Sequence, residues 1–365
     1  MNINFHYCAV KATAILSGFK ETDAELIATY SQMVDDYKVD KALNLTNVPT
    51  YCAPLVKDGK FHTVQTGFGY TSTVWHSTQE NVILPFHFIP REAYDKVKEN
   101  YRTCVARCSD KSLIDDICNY AVTNYKTARN RKALIFLGAA LHVFADTYAH
   151  ARFSAFESND NNGSITRAIS NTGEKRGYEV YSVLPPIGHA RFGTAPDESD
   201  LSFIFRLSGF EENLSRVNWH YFAACAIEIC KYFREALRLE PSSALERRVE
   251  DCVTEGCMVK GTKMETLAAR WKSASTLLRD TPFHYKNPLS QMISFEPGAL
   301  PEGLAEKDAF ALLNTMPENL GTLGSEQQSM LERLSEVQAK ATDEFYEYNF
   351  AAYTIRKAAL HGKIA

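Results

Sequence analysis

The stretch LHVFADTYAHARF, residues 141–153, sets the reading of this chain. His142, Asp146 and His150 recur there every four residues among mostly apolar neighbours. On a helix, residues i, i+4 and i+8 lie along one slowly drifting stripe, successive members about 6 Å apart. A single ion cannot easily take all three from a straight helix. A carboxylate in the middle can instead bridge, each histidine serving a different metal. Imidazole nitrogen and carboxylate oxygen, at about 2.0–2.2 Å, are the usual non-thiolate ligands of zinc. The plain alternative is a seam of hydrogen-bonded polar groups between packed helices.

Other residues of the same chemistry sit in unusual settings. His6 lies in FHY, on the apolar side of the first helix. Asp35 and Asp36 end the second helix in SQMVDDY, where carboxylates oppose the helix macrodipole unless a cation is near. His87 stands between phenylalanines in LPFHFIP, bracketed by prolines that fix its backbone. His189 is in PPIGHARFG, where glycines permit close backbone approach, and Asp197 follows in APD. His62 has a more polar setting, and His76, His220, His284 and His361 have weaker ones.

The chain has 365 residues, of which 45% are hydrophobic, enough for a large core. A net charge of −4 supplies no global basic field, so stable nucleic-acid binding is not expected. No run approaches the roughly 18 apolar residues of a membrane span. The opening MNINFHYCAVKATAILSGF lacks the basic start and uninterrupted apolar run of a signal peptide. The expected location is the cytoplasm, with non-classical export as an effector left open. The nine cysteines do not follow zinc-ribbon spacing and read as free, mostly buried thiols.

Helical periodicity predicts a hairpin over 4–18 and 22–37, closed by Gly18. Helices are expected to dominate from 91 to 153, and to recur at 211–238, 242–257, 262–280 and 304–314. A long final helix is expected over 325–361. Two irregular stretches, 38–90 and 157–200, are rich in Pro, Gly, Asn and Ser, and the first has room for a hairpin around HTVQTGFGYTSTVW. The expected fold is therefore mainly α, with two long loops. Residues 1–285 form a metal-binding catalytic part, and 286–365 a helical extension packed on it.

Five motifs together resemble one family. MNINFHY (1–7), SQMVDD (31–36), PFHFIP (85–90), LHVFADTYAH (141–150) and GHARFGTAPD (188–197) look like those of the zinc-dependent phospholipase C and S1/P1 nuclease superfamily. The nearer resemblance is to a bacterial zinc metallophospholipase C branch. It covers residues 1–200; the C-terminal part carries no matching motif. The resemblance implies an all-α core with a cluster of two or three zinc ions at the bottom of a cleft. His142 and Asp146 match its H-x-x-x-D pair, with Asp146 bridging. Asp35 or Asp36 supplies the carboxylate for the paired metals, and His6 the early histidine. His87, in preference to His62, completes that pair, while His150, His189 and Asp197 serve the remaining zinc. The amine and carbonyl of Met1 match the N-terminal ligands of the superfamily. Two spacings depart from the family: His150 follows Asp146 by four residues, and Asp197 follows His189 by eight.

The implied activity is phospholipase C hydrolysis of a glycerophospholipid at a membrane surface, with the spare member of Asp35/Asp36 accepting a proton from water. Phe61, Phe68, Tyr70, Trp75, Tyr178, Tyr181 and Phe192 lie in loops and are expected to rim the cleft, where aromatics hold head groups or tails. An S1/P1-like nuclease or other phosphodiesterase, and a non-catalytic metal-stabilised helical protein, are the competing readings.

Overall fold

The helix that carries the stripe starts where its chemistry starts it. Asn130 caps it, the side-chain oxygen accepting a hydrogen bond from the Ala133 amide at 3.0 Å. In the computed structural model, which describes residues 1–69, 71–95, 101–177, 184–296, 298–315 and 324–364, this helix runs Arg131–Ala149. The longer helices are α1 (Val10–Ser17), α2 (Glu21–Asp36), α3 (Leu113–Ala128), α4 (Arg131–Ala149), α5 (Asn218–Ala236), α6 (Ser243–Cys257), α7 (Met264–Ala274), α8 (Glu306–Leu313), α9 (Ser325–Glu336) and α10 (Asp343–His361). A π-helical turn, Asn4–Ala9, runs directly into α1, and Gly18 ends it in the left-handed region at φ 111°.

α4 is buried along nearly its whole length, between α2, α3, α5 and α10. By length and composition it could cross a membrane, but it is the core helix of this fold. Its closest approach is to α2, at Gly138. A Cβ there would lie 2.4 Å from the Ile27 carbonyl oxygen, so only glycine lets the two backbones meet this closely. That approach brings the C-terminal turns of α2 beside the His142–Asp146 stripe.

The expectation of a mainly α fold needs correction. The chain is 54% helix and 12% strand, with the strands in three small sheets, which makes it mixed α and β. The strands are β1 (Ala42–Leu43), β2 (Leu45–Thr46), β3 (Val56–Lys57), β4 (Lys60–His62), β5 (Gly163–Ser170), β6 (Leu201–Leu207), β7 (Leu214–Val217), β8 (Ile293–Phe295) and β9 (Ala339–Ala341). In the first loop, β3 and β4 form a tight hairpin, Lys57 opposite Lys60, across Asp58-Gly59. Both turn residues have positive φ, 52° and 74°, the type I′ geometry that Asp-Gly favours. The hairpin therefore turns before HTVQTGFGYTSTVW, and only its last strand residue, His62, belongs to that stretch.

The second loop supplies the antiparallel sheet β5-β6-β7, bulged between Ile165 and Arg167. In β6, Leu201, Phe203, Phe205 and Leu207 point into the core and alternate with more exposed residues, a period of two that overrides the loop reading. β7 likewise takes the first residues expected to be helical at 211–238. Among the described residues, helix also begins later than expected after residue 91, at Leu113. The long final helix is two helices, because β9 intervenes and pairs with β2 in parallel and β8 antiparallel. That sheet ties residues 286–365 to the first loop. Buried Asn349 of α10 adds to this, its Oδ1 accepting from the Val64 amide at 2.8 Å and from the Tyr37 hydroxyl at 3.2 Å.

All nine cysteines are free thiols, seven of them buried.

Candidate metal centre

Asp146 is the hub of a buried polar cluster at the C-terminal end of α4. Its Oδ1 accepts a short hydrogen bond from the Met1 α-amino group and lies 3.1 Å from His6 Nε2. Its Oδ2 lies 3.2 Å from His87 Nδ1, 3.4 Å from His142 Nε2 and 3.5 Å from His150 Nδ1. Asp35, at the last turn of α2, brings Oδ1 to 3.7 Å from His142 Nε2 and 3.8 Å from His87 Nδ1. Asp197 stands on the other side, 3.0 Å from His150 Nε2, 3.2 Å from His189 Nε2 and 3.2 Å from the Met1 amine.

These distances make three groups able to hold a metal ion: His6, Asp35 and His142; His87, His142 and Asp146; and His150, His189 and Asp197. The first two share His142. The third is separate, and the end of the helix explains why. α4 stops at Ala149, and His150 caps it with φ −101° and ψ 11°, so its ring turns off the stripe toward Asp197.

The orientation of the imidazoles is as telling as their proximity. His87 Nε2 faces the Thr66 carbonyl at 2.8 Å, and His142 Nδ1 faces Ser31 O at 2.8 Å. His150 Nδ1 faces His87 O at 2.5 Å, and His189 Nδ1 faces Gly193 O at 2.8 Å. A carbonyl only accepts, so each of these nitrogens carries the hydrogen. Where the ring is neutral, its other nitrogen would present a lone pair to a carboxylate oxygen. That juxtaposition is repulsive unless a cation or a proton lies between them. Backbone carbonyls that fix the tautomer are the usual outer support of metal-binding histidines. His6 goes further: among the described residues neither ring nitrogen has a hydrogen-bond partner, although the ring is fully buried and stacked 3.8 Å from His142.

The electrostatics divide the cluster. Burial, with the neighbouring His142, holds His6 well below the usual histidine range. Burial likewise pushes His150 down to about 4, so both are neutral, ligand-ready bases at pH 7. At His87 burial is outweighed by the Asp146 carboxylate, and its pKa is raised. Asp146 and Asp197 are held well below the carboxylate range, the surrounding histidines and the amine overcoming burial. Asp35 moves the other way, pushed up by burial. The Met1 amine, despite burial, is raised to about 10 by Asp146, Asp197 and Asp35.

The cluster forms the floor where two cavities meet. One, of about 700 Å³, is walled by Phe68, Ile83, Phe88, Leu184 and Ile187. The other, about 480 Å³, has charged side chains in its wall, among them Arg176, Glu198 and Lys260. Met1, Asp35, Thr194 and Asp197 line both.

Of the residues singled out in the sequence, Met1, His6, Asp35, His87, His142, Asp146, His150, His189 and Asp197 converge here. Asp36 does not: its Oδ2 accepts from the Tyr285 hydroxyl at 2.6 Å, outside the three groups. His62, on β4, is also absent from them. Among the aromatics expected at the rim, Phe68 lines the larger cavity and packs edge-on against His87, ring centroids 4.9 Å apart. Trp75 is exposed. Phe61 is instead buried against Phe345 and Tyr346, and Phe192 against Phe153 and Phe205. Tyr70, Tyr178 and Tyr181 lie outside the described residues.

Arg216 was not legible as part of the site. Fully buried, it donates to Ala149 O at 2.6 Å, Pro196 O at 2.8 Å and Asn218 Oδ1 at 2.7 Å. It thereby pins the residues just before both His150 and Asp197. Its only sequence signal was a cation at an inward position of a strand, in LSRV.

No curated protein and no solved structure matches the chain. A family model described as a family of unknown function, DUF6765, matches residues 1–357. The chain belongs to that family.

Proposed function

We propose that this protein is a zinc-dependent phosphodiester hydrolase holding two or three ions, and that it acts as a phospholipase C on glycerophospholipid at a membrane surface. The observation that carries the proposal is the set of four histidines, His87, His142, His150 and His189. Each is oriented by a backbone carbonyl and aims its free nitrogen at a buried carboxylate. Nitrogen and carboxylate oxygen without thiolate suit zinc. One ion cannot use all of the donors, because Asp197 and Asp35 belong to different groups.

Bound zinc would supply Lewis acidity toward the phosphoryl oxygens and lower the pKa of water. The remaining work falls to the chain. Asp35 faces both cavities, so a carboxylate oxygen that the metal leaves free would be placed to take a proton from water. Phe68, Phe88 and Ile187 offer the apolar part of an amphipathic substrate a dry wall, and the cavity that includes Arg176 and Lys260 leaves room for a head group. Met1, through its amine, holds Asp146 and Asp197 in one arrangement.

The test is metal analysis of the purified chain together with turnover of diacylphosphatidylcholine and single-stranded DNA, before and after chelation. Two or three zinc ions per chain, with phosphocholine release abolished by chelator, is the expected result. Nucleotide release without lipid turnover would move the assignment to a nuclease. Metal without either activity would leave a metal-stabilised helical protein.

A further inference from the structure

A second recess shares no lining residue with the two cavities at the metal cluster. It has a volume of about 470 Å³ and is lined by four rings, His76, Tyr94, Tyr101 and Phe156, together with Glu157 and Asp160. His76 stacks on Phe156 at 5.5 Å, and Phe156 on Tyr94 at 5.3 Å, each pair 29° from parallel. Tyr101 closes against Tyr94 at 5.0 Å and Phe156 at 5.4 Å.

The rings arrive from separate segments, and backbone bridges hold those segments together. Pro90 pairs with Thr103, Arg102 with Ser154 and Glu157 with Ile187, while the Tyr94 amide donates to Ala359 O at 2.8 Å. Core packing does not account for the cluster, since none of the four rings is buried.

Ring faces carry negative electrostatic potential and attract cations, best those that lose little hydration on binding. The surrounding charge adds to this. Asp160 is offset by Arg102, 3.0 Å away, but Glu157 has no cation within ion-pair distance among the described residues. At the ring faces an inorganic cation would have to shed its water against carbon, whereas an alkylated ammonium would not.

We propose that the His76–Tyr94–Tyr101–Phe156 recess binds a small quaternary ammonium group, at a site independent of the metal centre. Tetramethylammonium and choline, titrated calorimetrically into the metal-replete and the chelator-treated chain, test it. The expected result is saturable single-site binding at least about tenfold stronger than that of 3,3-dimethylbutan-1-ol, the neutral isostere of choline. Binding should be unchanged by chelation, weakened about tenfold by Tyr94→Leu, kept by Tyr94→Phe, and weakened several-fold by Glu157→Gln. Equal binding of the neutral isostere, absence of saturation, or loss of binding on chelation would overturn the proposal. So would a folded Tyr94→Leu chain that binds as before. If that variant does not fold, the isostere comparison on the unaltered chain decides.

Discussion

Replacing Asp146 by asparagine keeps the shape of the hub and removes its charge. The carboxylate faces the Met1 amine and the rings of His6, His87, His142 and His150, all within 3.5 Å. In the metal-free protein the buried amine would lose its main counter-charge, and Asp197 at 3.2 Å would remain as partial compensation. Removing one partner of a buried ion pair costs about 3–5 kcal/mol. A chain of 365 residues has an unfolding entropy of about 0.8 kcal/mol/K, so the chelated variant should melt about 4–6 °C lower. With metal supplied, the loss should be larger, because a neutral amide oxygen is a weaker metal ligand than the carboxylate that Asp146 contributes to its group with His87 and His142. Scanning calorimetry with and without chelator, alongside metal analysis, reads both effects. An Asp146→Asn chain that binds the same number of ions and melts at the same temperature would refute the assignment of Asp146 as hub.

Three further outcomes follow from the same geometry. Arg216→Met removes the bonds to Ala149 and Pro196 that position His150 and Asp197, so metal analysis should show one ion fewer while the His87/His142/Asp146 group keeps its own. Asp36→Asn should leave metal content unchanged and cost only about 1–2 kcal/mol, the scale of the Tyr285 hydrogen bond, whereas Asp35→Asn should lower metal content. Metal-free protein should lose stability as pH falls from about 6.5 toward 4: His150 stays neutral when folded, down to about 4, but protonates at its ordinary value when unfolded, so the unfolded chain takes up the extra proton. That single group accounts for at most about 3 kcal/mol, read by denaturant melts of the chain and of His150→Gln across the range, and two profiles of the same slope would contradict a buried neutral His150.

The helical skeleton was legible because its signals are local. Gly18 and Asn130 mark helix ends, and the stripe of His142 and Asp146 follows from the helical period alone. The strands were missed where a local signal was present but short. Asp58-Gly59 is a strong two-residue turn flanked by only two or three residues of strand. The alternation in LSFIFRL sits in a stretch whose polar surroundings read as loop. The break in the final helix had no such signal, since β9 exists by virtue of its partners β2 and β8, distant in sequence. At the site, residue type and local context singled out eight of the converging groups, and the family resemblance alone pointed to Met1. Asp35 and Asp36 are adjacent in sequence and face different neighbours, a difference set by the direction of α2 against α4. Arg216 acts through backbone carbonyls, and only the folded chain shows which ones.

The central claim is that the imidazoles around Asp146 face carboxylates because cations lie between them. Metal content per chain, measured on protein purified without chelator and without a metal-binding tag, tests it most directly. Two or three equivalents of tightly held zinc, lost from the Asp146→Asn/Asp197→Asn double variant, is the expected result. A chain that is folded, metal-free and indifferent to added zinc in its melting temperature would contradict the account.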